Sequence, residues 1–237
     1  SNLQEDTSYY WKVEIISNTG NVLATSPIWS FTTATNSSGT TVVDVTNPVT
    51  GRTWMDRNLG ASRAATSITD ELAYGDLYQW GRGTDGHEKR NSNTTTTISN
   101  SNTPGHGDFI LGSSDSNYDL RSPQNYNLWQ GVDGVNNPCP SGYRIPTDEE
   151  WAAEKLSWSI ANNSGAFNSP LKLPSAGSRN GGDGSLDNAG SIGDYWSSTW
   201  HFSSGGGVSE LLYFNSSASI TGTSVRAGGR SVRCIKD

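Results

Sequence analysis

Few residues in this chain are equipped for chemistry. Histidine occurs only at 87, 106 and 201, cysteine only at 139 and 234, and the densest acidic run is Asp148-Glu149-Glu150. No histidine sits in a His-Glu-x-x-His zinc arrangement, and no Gly-x-Ser-x-Gly elbow presents a nucleophilic serine. His87 and His106 fall in long polar stretches, where a surface histidine is expected. His201 stands apart, in Trp200-His201-Phe202 beside the flexible Ser203-Ser204-Gly205-Gly206-Gly207. Three large rings next to such a loop predict that Trp200 or His201 touches a ligand.

The acids invite a catalytic or metal reading, but their context supplies a simpler one. In Pro146-Thr147-Asp148-Glu149-Glu150-Trp151 the threonine caps a helix and Glu150 completes a capping box. All three acids then lie where the helix dipole favours negative charge. The loop Asn180-Gly181-Gly182-Asp183-Gly184-Ser185-Leu186-Asp187-Asn188 is rich in oxygen ligands, yet lacks the EF-hand order of alternating acids and a distant glutamate. It reads as a solvated glycine-rich loop, and no metal or cofactor is expected. Cys139 and Cys234 lie in neither CxxC nor CxxH spacing, so zinc and redox chemistry are unsupported. Pairing and free burial both remain open for them.

The elements that must position these residues are short. Residues 8–16 and 26–33 are rich in β-formers and flank the turn Ser17-Asn18-Thr19-Gly20-Asn21, which predicts a hairpin. Ala34 to Thr41 reads as a linker. Val42-Val43-Asp44-Val45 and Arg52-Thr53-Trp54-Met55 bracket Asn47-Pro48 and Gly51 as a second hairpin. Asp70 to Trp80 is expected to be a short helix with Leu72, Ala73, Leu77 and Trp80 on one face. Gly81 to about Asn137 reads mostly as loop. The helix opening at Thr147 is expected to carry Ala152, Leu156 and Ile160 on one face and to end at Asn162-Asn163-Ser164-Gly165. The runs at 195–199, 210–214 and 231–235 are expected to be strands. Together they describe an α+β domain.

Composition bounds the function. The 237 residues include 35 Ser, 23 Thr, 21 Asn and 27 Gly, with 32% hydrophobic and 16% charged residues. This excludes long amphipathic helices and coiled coils. Nine Trp, nine Tyr and five Phe spread over the chain argue against disorder, because each ring can bury about 150–250 Å². A net charge of -7, with 11 Arg and 5 Lys never forming a run, leaves nothing to neutralise phosphates, so nucleic acid is excluded as a partner. No window approaches the roughly 18 apolar residues of a spanning helix. One cysteine pair and a single Met lean towards an oxidising, extracytoplasmic setting.

Residues 1–33 resemble the last strands of a fibronectin type III-like β-sandwich. The features that carry this are Leu3, then Thr7, Tyr9 and Tyr10 at a tyrosine-corner position, Val13 and Ile15 inward, and the closing Trp29-Ser30-Phe31-Thr32-Thr33. The resemblance implies further sandwich strands upstream.

Six strings from Val42 to Asp237 carry a second resemblance. They are Trp54-Met55-Asp56-Arg57-Asn58-Leu59-Gly60, residues 74–82 (Tyr74 to Arg82), residues 137–147 (Asn137 to Thr147), Leu171-Lys172-Leu173-Pro174-Ser175-Ala176-Gly177, Tyr195-Trp196-Ser197-Ser198-Thr199 and Ser231-Val232-Arg233-Cys234. With them, residues 42–237 resemble the Fibrobacter succinogenes major paralogous domain family, a C-type-lectin-like module. The resemblance implies a lectin-type fold with long loops and adjacent domain ends, and it favours a Cys139–Cys234 disulfide. The calcium and sugar motifs of true C-type lectins do not occur. The formylglycine-generating oxidases share this fold class, but they need a copper-binding cysteine pair, whereas Cys139 and Cys234 occupy structural positions. An enzyme is therefore not expected.

Residues 171–237 also resemble the variable region of proteins diversified by retroelements, in which asparagine codons are mutated at adenines. Ser178, Gly182, Asp183, Asp187, Ile192, Asp194, Ser219, Thr221, Thr223 and Gly228 are residues that an asparagine codon reaches in that way. With Trp200, His201, Phe202 and Tyr213 they form the expected ligand-binding face. The expected function is an extracellular or cell-surface binding module of adhesin or receptor-binding type, taking a protein or glycan ligand on another cell or surface. The rival readings are a carbohydrate-binding accessory of a polysaccharide-degrading system and a structural surface or pilus component.

Overall fold

A computed structural model describes residues 8–32, 39–113, 118–201 and 207–237, and the chain divides into two compact units, Ser1–Ser37 and Ser38–Asp237. Leu3, Thr7, Thr33, residues 34–38, Phe202 and residues 203–206 lie outside the described residues.

In the first unit β1 (Ser8–Trp11), β2 (Glu14–Ile16), β3 (Val22–Thr25) and β4 (Trp29–Thr32) form two antiparallel ladders, β1 with β4 and β2 with β3. They are successive parts of one hairpin, interrupted where Ser26 N–H donates to the Val13 carbonyl (2.8 Å). The turn closes through Gly20, whose φ of +85° is a conformation glycine adopts without strain. Val13 and Ile15, expected inward, are 52% and 60% exposed. A two-stranded ribbon has no opposing layer to bury them.

The second unit is built mainly from strands, with two short helices. Its elements are β5 (Asp44–Thr46), β6 (Thr53–Met55), β7 (Tyr78–Gln79), β8 (Thr94–Thr95), β9 (Phe109–Ile110), β10 (Tyr143–Arg144), α1 (Asp148–Leu156), α2 (Asn163–Asn168), β11 (Ser178–Arg179), β12 (Leu186–Asp187), β13 (Gly193–His201), β14 (Val208–Phe214), β15 (Ser219–Val225), β16 (Gly229–Arg230) and β17 (Ile235–Lys236). One sheet has the order β10-β17-β6-β5, a second β12-β11-β16-β7, and a third β13-β14-β15. Ile235 lies opposite Trp54, so both ends of this unit meet in one sheet.

Strand β13 up to Ser198 and most of β14 are buried on both sides of the three-stranded sheet. Trp196 and Leu211 pack with Tyr78, Trp80, Trp129, Ile145 and the cystine, while Tyr195, Leu212 and Phe214 pack with Trp54, Trp151, Trp158 and Leu171. Alternate strand residues point to opposite faces, so the adjacent rings of Tyr195 and Trp196 join different cores. Cys139 and Cys234 are bonded, with Cα atoms 5.9 Å apart, and close a loop of 95 residues.

Helix α1 begins as the sequence predicts. Glu150 N–H donates to Thr147 Oγ1 (3.3 Å) and Thr147 N–H donates to Glu150 Oε2 (2.9 Å). Arg144 adds a two-pronged bond to Glu150, at 2.7 and 2.8 Å. The expected apolar face is wrong, however: Leu156 and Ile160 are 82% and 52% exposed, and the buried residues of α1 are Trp151 and Glu154. The helix stops at Leu156, and Asn162 caps a second helix by accepting the N–H groups of Ser164 and Gly165 (3.0 and 3.2 Å). Residues 70–80 also depart from expectation. They form a single 3-10 turn, Glu71–Ala73, followed by β7, and Leu72 is 58% exposed. Gly75, at φ +68°, ends the turn where a Cβ would lie 2.3 Å from the Leu59 carbonyl oxygen. In the region 231–235 the expected strand is reduced to a Tyr195–Ser231 bridge and β17.

Glu154 ties three segments together. Its carboxylate accepts from Asn47 Nδ2 (2.6 Å) in the β5–β6 turn and from Trp158 Nε1 (3.2 Å). Burial pushes this carboxyl above the ordinary glutamate value, against the pull of those bonds. Its contribution to stability is therefore complete below the ordinary value and lost as pH rises through the raised one. Wild type should lose stability relative to Glu154→Gln as pH rises from the ordinary glutamate value through the raised one, as read from urea unfolding along a pH series. Replacing both Cys139 and Cys234 by serine should lower the unfolding free energy by about 4–5 kcal/mol through the freed chain entropy. The check is the same urea titration at fixed pH.

Candidate functional site

The three-stranded sheet leaves the core at one end, and the cause is local. Between Trp196, opposite Leu211, and Trp200, opposite Ser209, the β13 register shifts. Residues up to Ser198 are buried, and beyond them Trp200 is 42% exposed.

Trp200 is held in place from below. Its ring lies 4.7 Å from that of Tyr126, centroid to centroid, at 35°. The Arg226 guanidinium lies 4.8 Å from the centre of the Tyr126 ring and 4.7 Å from that of Trp80, which packs on Trp129 at 5.5 Å. A ladder of rings and one cation thus runs from the core to the surface. Arg226 is 2% exposed and donates to Asp119 Oδ2 (2.9 Å), Ser209 Oγ (2.9 Å) and the Val208 carbonyl (3.0 Å). At Gly207 an added Cβ would lie 2.6 Å from Asp119 Oδ2, so glycine leaves room for this ion pair. Gln130 Nε2 donates to the carbonyls of Ser198 (2.8 Å) and Tyr126 (3.0 Å), fastening the Tyr126 loop to β13.

The pleat divides the expected face in two. Asp194, Tyr213 and Trp200 share one side of the sheet with Ile220 and Ser224, whereas His201, Glu210, Ser219, Thr221 and Thr223 share the other. On that second side His201 Nδ1 lies 2.9 Å from Glu210 Oε1, and Thr223 stands opposite Glu210. Ser219 and Thr221 are half-buried and Thr223 is exposed.

The remaining predicted positions scatter. Asp194 is buried, its Oδ2 3.0 Å from Arg230 Nε, and burial pushes its carboxyl up against the opposing pull of that guanidinium. Arg230 also donates to Ser224 Oγ (2.7 Å), which joins β13, β15 and β16. Gly228 is buried where a Cβ would meet the Arg230 guanidinium at 2.6 Å. Neither Asp194 nor Gly228 offers a free surface. The Tyr213 hydroxyl, half-buried, accepts from Asn215 Nδ2 (3.0 Å). Ser178 and Asp187 are paired in β11 and β12. Asp183 is exposed beyond them, and the Ser185 N–H and hydroxyl (2.9 and 2.7 Å) hold its carboxyl below the ordinary range. Ile192 is half-buried.

The histidine expected at the surface in the first polar stretch is fully buried. His87 Nε2 accepts the Gln79 N–H (3.0 Å), so Nδ1 carries the proton and donates to Asp85 Oδ1 (2.5 Å). Burial holds this imidazole below its ordinary value. Asp85, His87 and Glu88 are metal-ligand types within reach of one another. Yet Asp85 Oδ2 is engaged by Arg82 (2.7 and 3.1 Å) and Glu88 Oε2 by the Gly86 N–H (2.8 Å). With both imidazole nitrogens occupied as well, the trio works as a hydrogen-bonded brace for β7.

Tyr126, Arg226, Asp119 and Gln130 escaped the sequence reading. Three of them lie in the stretch that looks like loop filler, and Arg226 has no periodic context. The chemistry available at the sheet end is recognition by a rigid, partly exposed ring. If the ladder sets that ring, Asp119→Ala should leave Arg226 buried without its counter-charge and cost about 3–5 kcal/mol in stability. Near-ultraviolet circular dichroism should show the loss of fixed Trp200–Tyr126 packing. Comparison with protein-family models, curated proteins and solved structures finds no match to this chain.

Proposed function

We propose that residues 42–237 form a C-type-lectin-like binding module of an extracellular or surface-attached bacterial protein, carried on β-sandwich spacers of which residues 1–33 are part. In this reading residues 171–237 are a changeable face diversified by a retroelement. The observation that carries it is a partition by burial. Tyr195-Trp196-Ser197-Ser198 and Val232-Arg233-Cys234 are buried, whereas Ser178, Gly182, Asp183, Asp187, Ile192, Ser219, Thr221 and Thr223 all keep exposed surface. Most positions that an asparagine codon reaches through adenines can therefore vary without touching the core; Asp194 and Gly228 are the exceptions.

Binding on such a face divides between two kinds of group. Trp200 supplies rigid apolar area on one side of the sheet, while the hydroxyls of Ser219, Thr221 and Thr223 on the other side supply adaptable hydrogen bonds, the two kinds of group used in antibody paratopes. The disulfide suits an oxidising compartment. No helix among the described residues is long and apolar enough to cross a membrane.

The reading has two checks. The genome should hold, beside the coding sequence for residues 171–237, a near-copy differing at adenines together with a reverse transcriptase gene; their absence would remove the diversification claim. On paired protein and glycan arrays the labelled chain should bind, and Trp200→Ala should lose at least about tenfold in affinity with a melting temperature within a few degrees of wild type. Binding unaffected by Trp200→Ala would sink the site assignment.

A further inference from the structure

We infer that the Trp200 platform takes the C–H face of a neutral pyranose ring in a glycan. The inference rests on the reading of residues 42–237 as a binding module and names its ligand class.

Shape comes first. The Trp200 ring is 42% exposed although it is fixed by Tyr126 and the ladder beneath it, so it offers a flat, preorganised apolar surface. The cavity lined by the ladder residues Trp80 and Arg226, with Asn102, Asp119, Arg121 and Asn125, has a volume of about 20 Å³, room for about one water. It cannot admit a sugar, so the inferred ligand lies on the ring. Sugar rings do this, because one face of a glucose- or galactose-type pyranose presents only C–H groups.

Polar partners and charge narrow the class. The loop that carries Tyr126 also brings exposed Asn127 and Gln130 to this end of the sheet. Gln130 Nε2 is engaged by Ser198 and Tyr126, which leaves its Oε1 as an acceptor; Asn127 donates its backbone N–H to Asn125 Oδ1 (3.0 Å), and its side-chain amide makes no hydrogen bond among the described residues. Uncharged amides beside an aromatic plane match vicinal hydroxyls. Charge disfavours acidic sugars: Arg226 is buried and paired with Asp119, Arg121 at the neighbouring cavity is turned to the Ser101 and Pro123 carbonyls, and the chain carries a net charge of -7.

A protein partner fits less well. On the Trp200 side of the sheet the exposed large apolar residue is Ile220, on β15 opposite Tyr213. It stands four positions from Ser224, the β15 residue level with Trp200, or roughly 13 Å away. Among the described residues the exposed apolar area at this end is far smaller than the contiguous patch that marks a protein interface. Contact through one ring predicts weak capture of a single sugar, with a Kd of about millimolar, and strong capture only when several modules engage one surface.

The test uses the whole chain with cellobiose, lactose, xylotriose and N,N′-diacetylchitobiose as probes, and with a heparin hexasaccharide and phosphocholine as contrasts. Saturation-transfer NMR should mark the C–H protons of one sugar face, and indole emission should shift to the blue. Trp200→Ala should weaken binding by at least about tenfold, Trp200→Phe should retain part of it, and Gln130→Ala should fall between. No Trp200-dependent signal from any neutral sugar, or preference for heparin or phosphocholine, overturns the inference. If a Trp200-dependent protein then binds on the array, the binding-module reading stands and only the sugar falls. If both are silent, both fall.

Discussion

A cation with no access to water sits at the centre of the second unit, and the chain is arranged around it. The Arg233 guanidinium is fully buried and meets no carboxylate of the described residues within bonding distance; it donates to Asn58 Oδ1 (3.0 and 3.1 Å), the Met55 carbonyl (3.2 Å) and the Leu171 carbonyl (2.6 Å). Burial pulls it down to about 10. The Asn58 amide in turn donates to the Tyr74 carbonyl (3.0 Å) and the Tyr195 hydroxyl (3.2 Å), and that hydroxyl donates to the Pro174 carbonyl (2.8 Å). Strings beginning at Trp54, Tyr74, Leu171, Tyr195 and Ser231 are drawn to one point. A buried charge without such partners would cost several kcal/mol, so these strings must arrive together or the core does not close. Cys234, next in sequence, fixes the same point covalently to Cys139.

The tryptophans extend this order between segments. Each contributes apolar mass and a single N–H, and four of those N–H groups reach a backbone carbonyl of another segment. Trp80 donates to Ser197 (2.9 Å), Trp129 to Arg82 (3.1 Å), Trp151 to Trp196 (3.0 Å) and Trp196 to Tyr78 (2.8 Å). Buried indole N–H groups would otherwise be costly. Abundant Ser, Thr, Asn and Gly are thus compatible with a close-packed interior, because a few large side chains fill volume and satisfy backbone together. The same device carries the exposed site. Trp129 and Trp80 begin the ladder on which Trp200 rests, so a surface ring inherits the rigidity of the core.

What was legible beforehand depended on the range of the interaction. The capping box at Thr147 and Glu150 is complete within four residues, and it formed as expected. The β5–β6 hairpin likewise follows from Asn47-Pro48 and Gly51 between two β-rich runs. The end of α1 was misplaced because Leu156 and Ile160 look like a core stripe, while the core takes Trp151 and the carboxylate of Glu154, which is acceptable inside only because Asn47, 107 residues away, donates to it. Strand β15 went unread because Ser-Ile-Thr-Gly-Thr-Ser-Val has little apolar alternation; it pairs along its length with β14 all the same. His87 looked like a surface residue until the Gln79 N–H and Asp85 closed around it.

Sequence by itself determined the parts whose physics is local: the cap, the turns, the composition that excludes long coiled coils, and the spread of rings that permits a core. It also singled out Trp200 and His201 as a place to look. Only the tertiary structure decided that these neighbours face opposite sides of one sheet, because pleat and register are properties of strand pairing. It alone placed Tyr126 under Trp200 and Arg226 beneath both, since a stack of rings and a buried ion pair needs groups separated by as many as 107 residues to arrive at one spot. The exposed ring was visible in the chain; the rigidity that makes it a platform was not.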